Sequence, residues 1–288
     1  MSDEVEIEKE NIEDFKQKVE DLKSLPTLPH LMMKFSAMAE NPETSMTKFG
    51  DEVQKDQILT TKLLRLVNSA FYGFPGRIGT VTQAIVLLGL DALKGLIITS
   101  SVFDSLTPEA YPLWRHSMLV SLACRQIGTV LDYPDVEEIA VAGLLHDIGK
   151  VIFFLEAPEK YRKVIRYAVE HDTPMFIAEK ELIGFNHNDI GKWVCDKWTL
   201  PEKLSIPITY HHNPEQAPAF KDRVLIVAAA NTIIKGMGVS AEGEVIIDEI
   251  SDLIQDELNL TPKHINDLVA RIEPEIESLE NIGPGDLK

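Results

Sequence analysis

Gly143-Leu144-Leu145-His146-Asp147-Ile148-Gly149-Lys150 is the stretch on which the reading of this chain turns. Ahead of it, residues 136–145 are apolar apart from Glu137 and Glu138, and behind it Val151–Leu155 is apolar throughout. A histidine and an aspartate walled in by aliphatic side chains are costly to bury unless something compensates them. A divalent transition metal is the strongest compensator, since neutral imidazole and carboxylate are both good ligands for one. The plainer alternative is a histidine–aspartate pair stabilising a helix end. For these two residues alone the two readings stand level.

Working outward, apolar residues recur at helical spacing almost everywhere. Ile12, Phe15, Val19 and Leu22 share one face of a first helix. Leu25-Pro26-Thr27-Leu28-Pro29 breaks it, and a second helix is expected over residues 29–40. Ser45–Val53 forms a short third helix, and Asp56 is a candidate N-cap for the fourth. That one stops at the Gly-rich aromatic loop Phe71–Pro75. Further helices are expected over Thr80–Leu88, over Ala92–Phe103 capped by Asp91, and from Pro112 to Val130. Asp135–Leu145 leads into the central stretch, followed by Glu159–Glu170, Pro174–Gly184, His187–Trp198 and Arg223–Lys235. Val224–Ala230 and Val245–Ile247 are the segments closest to strands, but neither has a partner strand, so the fold is read as all-α. Beyond Gly236 the composition turns acidic. Glu249–Leu258 and Pro262–Leu279 are amphipathic, suited to pack on the body or on a partner.

Composition narrows the function classes. A length of 288 residues with 44% hydrophobic residues supplies one large core or two small ones, with disorder expected only at the ends. A net charge of -18 argues against a nucleic-acid partner, because phosphate contacts need clustered Lys and Arg. Cys124 and Cys195 lie in apolar, helical contexts and are expected as free buried thiols, which favours a reducing compartment. No apolar run approaches membrane-spanning length, and residues 1–10 are charged and expected to fray. The expected location is the cytoplasm, away from any membrane.

His116, His187, His211, His212 and Asn231 join His146 and Asp147 as candidate site residues. A lone histidine at a helix end is usually a surface or capping residue, and His30, His171 and His264 are read that way. The adjacent pair His211-His212 is harder to dismiss, because two histidines gain little structurally from adjacency. Imidazole and carboxylate without thiolate suit iron, manganese or zinc better than a purely structural zinc site.

The order His116, His146-Asp147, His187, His211-His212 resembles that of the HD superfamily of metal-dependent phosphohydrolases, whose strongest motif matches residues 146–150. More closely, the chain resembles the HDOD family. The matching segments are Leu25–Pro29, Leu66–Tyr72, Ala84–Gly89, Leu113–Ser117 and Trp198–Pro201, in that order. The resemblance implies an all-helical HD-like core over residues 111–236, preceded by an HDOD-specific helical portion over 21–110. Residues 1–20 are then an extension and 237–288 acidic C-terminal helices. It also implies bacterial signalling or regulation rather than metabolism, with signalling proteins and a nucleotide as candidate partners. One or two divalent ions would be held by His116, His146, Asp147, His187, His211, His212 and Asn231.

HD phosphohydrolases close the site with an aspartate in an Ala-Asp context, where this chain has Ala230-Asn231. The amide supplies no charge, and a bridging carboxylate is expected to be lost. HDOD proteins have usually degraded the motif, and the family is held to be largely non-catalytic. This chain keeps every histidine and Lys150. Lys150 would hold a substrate phosphate in an enzyme, or cap the preceding helix otherwise. The Gly-Tyr-Pro segment that follows the paired histidines in cyclic-dinucleotide hydrolases is absent from residues 213–218, which argues against that substrate. Two readings remain: a regulatory module with a retained metal site, and an active metal-dependent phosphohydrolase acting through Asp147 and Lys150.

Overall fold

Short polar side chains open the helices. Asn11, Ser45, Thr80, Asn186 and Ser251 each accept a backbone N–H of the first helical turn through a side-chain oxygen. Thr80 and Asn186 do so as full capping boxes, with Gln83 and Asp189 reaching back. Asp56 Oδ1 likewise accepts the amide of Leu59 at 2.9 Å.

The computed structural model describes residues 11–21, 38, 45–68, 78–103, 110–241 and 250–280, and no strand occurs among them. Leu25–Pro29, most of the second expected helix, the aromatic loop Phe71–Pro75 and residues 242–249 lie outside the described residues. The first half contributes α1 (Ile12–Glu20), α2 (Met46–Gln54), α3 (Gln57–Asn68), α4 (Val81–Leu88) and α5 (Leu90–Phe103). The centre of the molecule is α6 (Tyr111–Val130), α7 (Val136–Leu145) and α8 (Ile148–Glu156). After them come α9 (Pro158–Glu170), α10 (Met175–Leu182), α11 (His187–Lys197), α12 (Glu202–Tyr210) and α13 (Lys221–Gly236). The acidic end forms α14 (Asp252–Leu258) and α15 (Pro262–Glu280). None of these helices is long and apolar enough to cross a membrane.

Helix α6 is buried along most of its length and packs against α7, α13 and α15. The α6–α7 crossing is close because Gly143 faces Cys124: a Cβ there would fall 2.5 Å from the Cys124 sulfur. Cys124 and Cys195 are both free and buried, as the sequence suggested. The first half joins the second where α5 lies on α7.

Two terminal elements are tied down. Phe15 of α1 is fully buried, its ring 4.9 Å from Phe185 and 5.6 Å from Phe153. Burying a phenylalanine contributes roughly 1.5–3 kcal/mol. Ile12, expected on the same inward face, is 42% exposed, because the helix starts there and the neighbouring body does not reach it. At the other end α15 lies on α6, and the Tyr111 hydroxyl donates to the Leu279 carbonyl at 2.9 Å. The body, then, receives this amphipathic helix. Asp91 does not cap α5: the helix begins one residue earlier, after Gly89 at φ 88°, and Asp91 sits in its first turn near Lys94.

Candidate metal centre

His146 and Asp147 are the two residues of the break between α7 and α8. The plain reading of them as a helix end is therefore true of the backbone, yet the Asp147 side chain caps nothing. His116 comes from α6, His187 is the first residue of α11, His211 and His212 follow the end of α12, and Asn231 comes from α13. Gly149 lets α8 approach α11 this closely, since a Cβ there would lie 2.0 Å from the His187 carbonyl oxygen. The fold thus brings all seven candidates together, and His116, His146, Asp147 and His187 are at most 1% exposed.

Four imidazoles face the Asp147 carboxylate in one tautomer. The Nδ1 atoms of His116, His146 and His211 lie 2.9, 2.7 and 3.0 Å from the carbonyls of Val239, Gly143 and Ile208. A carbonyl only accepts, so each Nδ1 carries the proton and each Nε2 presents a lone pair. His187 Nδ1 donates to the Glu179 carboxylate at 2.7 Å, with the same result. The Nε2 atoms of His187 and His211 stand 3.4 and 3.8 Å from Asp147 Oδ1. Those of His146 and His116 stand 3.3 and 3.8 Å from Oδ2. Asp147 Oδ1 and the Nε2 atoms of His146 and His211 are buried without a hydrogen-bond partner, while Asp147 Oδ2 faces the Lys150 ammonium at 3.1 Å. Converging, unprotonated donors repel one another unless a cation sits among them.

Spacing fits a cation as well. Metal–nitrogen bonds of about 2.1 Å place ligand atoms of one ion roughly 3.0–3.4 Å apart. His187 Nε2 and His212 Nε2 are 3.1 Å apart, and His116 Nε2 and Asn231 Oδ1 are 3.0 Å apart. The donors divide into Asp147, His187, His211 and His212 on one side and His116, His146 and Asp147 on the other. Asn231 stands with the second set. Asp147 turns one oxygen to each set, so a carboxylate reaches both even though position 231 carries an amide. Lys150 brings its ammonium 3.1 Å from Asp147 Oδ2, on the side of the second set.

The electrostatics keep four of these imidazoles, those of His116, His187, His211 and His212, neutral and Asp147 ionised. Burial pushes the imidazoles of His116 and His187 down to about 3, helped by His146 for the first and Lys150 for the second. Burial likewise holds His211 and His212 well below the ordinary histidine range. For Asp147, burial alone would raise the carboxyl, but His146 and Lys150 beside it hold it well below the usual carboxylate range. Neutral imidazoles and an ionised carboxylate are the forms that bind a metal.

Sequence reasoning missed Glu179 and Asn188. Glu179, fully buried on α10, takes the His187 backbone N–H at 2.8 Å and the Tyr161 hydroxyl at 3.0 Å as well as His187 Nδ1. Burial pushes its carboxyl up to about 8, against the pull of Lys150 and of the His187 amide. Asn188 lies 3.2 Å from His211 Nδ1. Phe176 stacks on His212 with ring centroids 4.4 Å apart. Beyond Phe176 and Asn188 lies a cavity of about 500 Å³, also lined by Asn186, Tyr210, Asn213 and Gln216.

A helical bundle with buried histidines around one aspartate defines a class of HD-like proteins, and comparison with known proteins narrows it. Residues 25–214 match the HDOD domain, and the chain belongs to the HDOD family. It is 28% identical over 216 residues to an uncharacterized protein of Treponema pallidum, a match covering 73% of this chain and 42% of that protein. The chain therefore spans under half of that relative's length. An HDOD domain protein of unknown function from Geobacter sulfurreducens aligns with TM-score 0.68 at 25% identity, over 96% of this chain and 99% of that one. A candidate phosphohydrolase from Shewanella amazonensis aligns with TM-score 0.61 at 22% identity, over 90% of this chain and 97% of that one, and shares the fold.

Proposed function

We propose that the chain is a bacterial regulatory HDOD module built around a divalent-cation centre, acting by binding a signalling protein or a nucleotide. His116, His146, Asp147, His187, His211, His212 and Asn231 hold one or two ions of iron, manganese or zinc. The observation that supports a cation is the set of buried Nε2 atoms turned on the Asp147 carboxylate, whose Oδ1 has no hydrogen-bond partner. The observation that favours regulation over turnover is Asn231, a neutral amide 3.0 Å from His116 Nε2 in the second set. With that side short of charge and the Lys150 ammonium already against Asp147 Oδ2, the second set holds its cation weakly. Water activation by a metal pair is then disfavoured.

A second reading, metal-dependent hydrolysis of a phosphoester, is favoured by the 500 Å³ cavity beside His212. In that reading Asp147 and the histidines would hold a metal able to activate water for attack, and Lys150 would bind the phosphate. Protein expressed with added manganese or iron decides between them. The regulatory reading expects no turnover of phosphomonoesters or nucleotides, and calorimetry against signalling nucleotides then tests binding. Turnover that disappears in Asp147→Ala would overturn it. Elemental analysis is expected to find at least one tightly held metal per chain, and finding none would remove the cation from both readings.

A further inference from the structure

Helix α10 contributes no candidate ligand, yet two of its residues, Phe176 and Glu179, lie against the first donor set. They are three apart and share one face of the helix. Phe176 covers the His212 ring at 4.4 Å with an interplanar angle of 14°. Glu179 is wholly buried, and its carboxyl oxygens accept hydrogen bonds from His187 and from Tyr161, which is itself buried.

We propose that Glu179 is a positioning residue of this centre, holding His187 with its Nε2 lone pair aimed at the cation. This rests on the cation reading above. The same carboxylate oxygen, Oε2, receives the His187 backbone N–H at 2.8 Å and Nδ1 at 2.7 Å. A backbone N–H only donates, so Oε2 is committed as an acceptor and the ring proton stays on Nδ1. Anchoring both the backbone and the ring of one residue fixes the rotamer as well as the tautomer. Oε1 is held in turn by the Tyr161 hydroxyl at 3.0 Å, so the carboxylate cannot swing away. Burial keeps water from competing for either oxygen. A ligating histidine backed by a carboxylate is a more basic and better oriented donor, and losing such a partner typically weakens metal binding about 10- to 100-fold. His116, His146 and His211 are backed by neutral carbonyls instead. His187 is therefore the ligand backed by a side-chain carboxyl that fixes both its backbone and its ring, and the Asp147–His187–His211–His212 set is the better oriented of the two.

The test uses the full chain and cobalt(II) as the probe, read by its visible d–d absorption and by competition with a chelator. Glu179→Gln keeps the shape and one acceptor oxygen but replaces the carboxyl by an amide, and is expected to weaken cobalt binding about tenfold. Glu179→Met removes the acceptor, and is expected to approach a hundredfold loss and a changed cobalt spectrum. Tyr161→Phe leaves the packing and should cost severalfold. Imidazole ¹⁵N shifts of the metal-free wild-type protein provide a readout that needs no variant to fold: His187 is expected as the Nδ1–H tautomer. A His187 protonated on Nε2, or folded Glu179→Gln and Glu179→Met proteins with wild-type cobalt affinity and spectrum, would overturn the proposal. Absence of cobalt binding by the wild-type protein would instead strike the cation reading itself, and is seen before any variant is made.

Discussion

Asn231 places an amide oxygen 3.0 Å from His116 Nε2, and exchanging that amide for a carboxylate changes the charge with almost no change of shape. Asn231→Asp is expected to bind manganese on the order of tenfold more tightly, because ligand charge count governs affinity for such ions. Titration calorimetry checks it, and unchanged affinity would remove position 231 from the coordination. A second residue-scale effect concerns pH. Burial, and then the hydrogen bond to Asp222, pushes the Tyr133 phenol up to about 12. A raised folded value means the native state keeps a proton that the unfolded chain releases near pH 10. Tyr133 therefore contributes stability that is whole below pH 10 and is lost as pH rises towards about 12. Tyr133 is partly exposed, so the contribution is under about 1 kcal/mol. Urea midpoints of wild type and Tyr133→Phe between these pH values should converge as pH rises. Why the histidines were legible and Glu179 was not follows from the same chemistry. Imidazoles between apolar runs are rare and demand a reason. In Glu179-Lys180-Glu181, by contrast, nothing separates the fully buried acid from its two exposed neighbours. Only the tertiary contact with His187 does that.

At the scale of elements, the approach of α8 to α11 depends on one missing atom. A Cβ on residue 149 would meet the His187 carbonyl oxygen at 2.0 Å, and backbone cannot yield as a side chain does. Gly149→Ala is expected to cost about 3 kcal/mol or more by urea unfolding, and to displace His187 enough to weaken cobalt binding. A protein of wild-type stability would show that the two helices slide apart freely. Helix starts were readable at Ser45, Asp56, Thr80 and Asn186, where the side chain performs the capping itself, but not at Ser251, whose helix was expected to begin at Glu249. Asp91 misled because a carboxylate in the first turn and one at the cap look alike in sequence. The left-handed Gly89 before it marks the true start.

Across the whole molecule, the all-helical class was legible from apolar periodicity, and the HD-like core from the order of its histidines. The docking of the ends was not. An amphipathic helix such as α15 states that it needs a partner surface without saying which, and its packing on α6, with the Tyr111–Leu279 and Arg271–Gln126 hydrogen bonds, supplies the answer. The chain emerging from α13 brings the Val239 carbonyl to His116 Nδ1.

The donors converge from α6, the α7–α8 break, α11, the turn after α12 and α13, segments spread over residues 116–231. An ion captured by the first set would consequently behave as a rivet joining the α7–α8 break, α11 and the turn after α12. Its grip is available only to the assembled chain, so a free ion at a thousand times its dissociation constant should add about 4 kcal/mol. That corresponds to a rise in melting temperature of roughly 10 °C. Calorimetry with and without a chelator would register it as one sharp, shifted transition, whereas an unmoved melting curve would mean that nothing spans those helices.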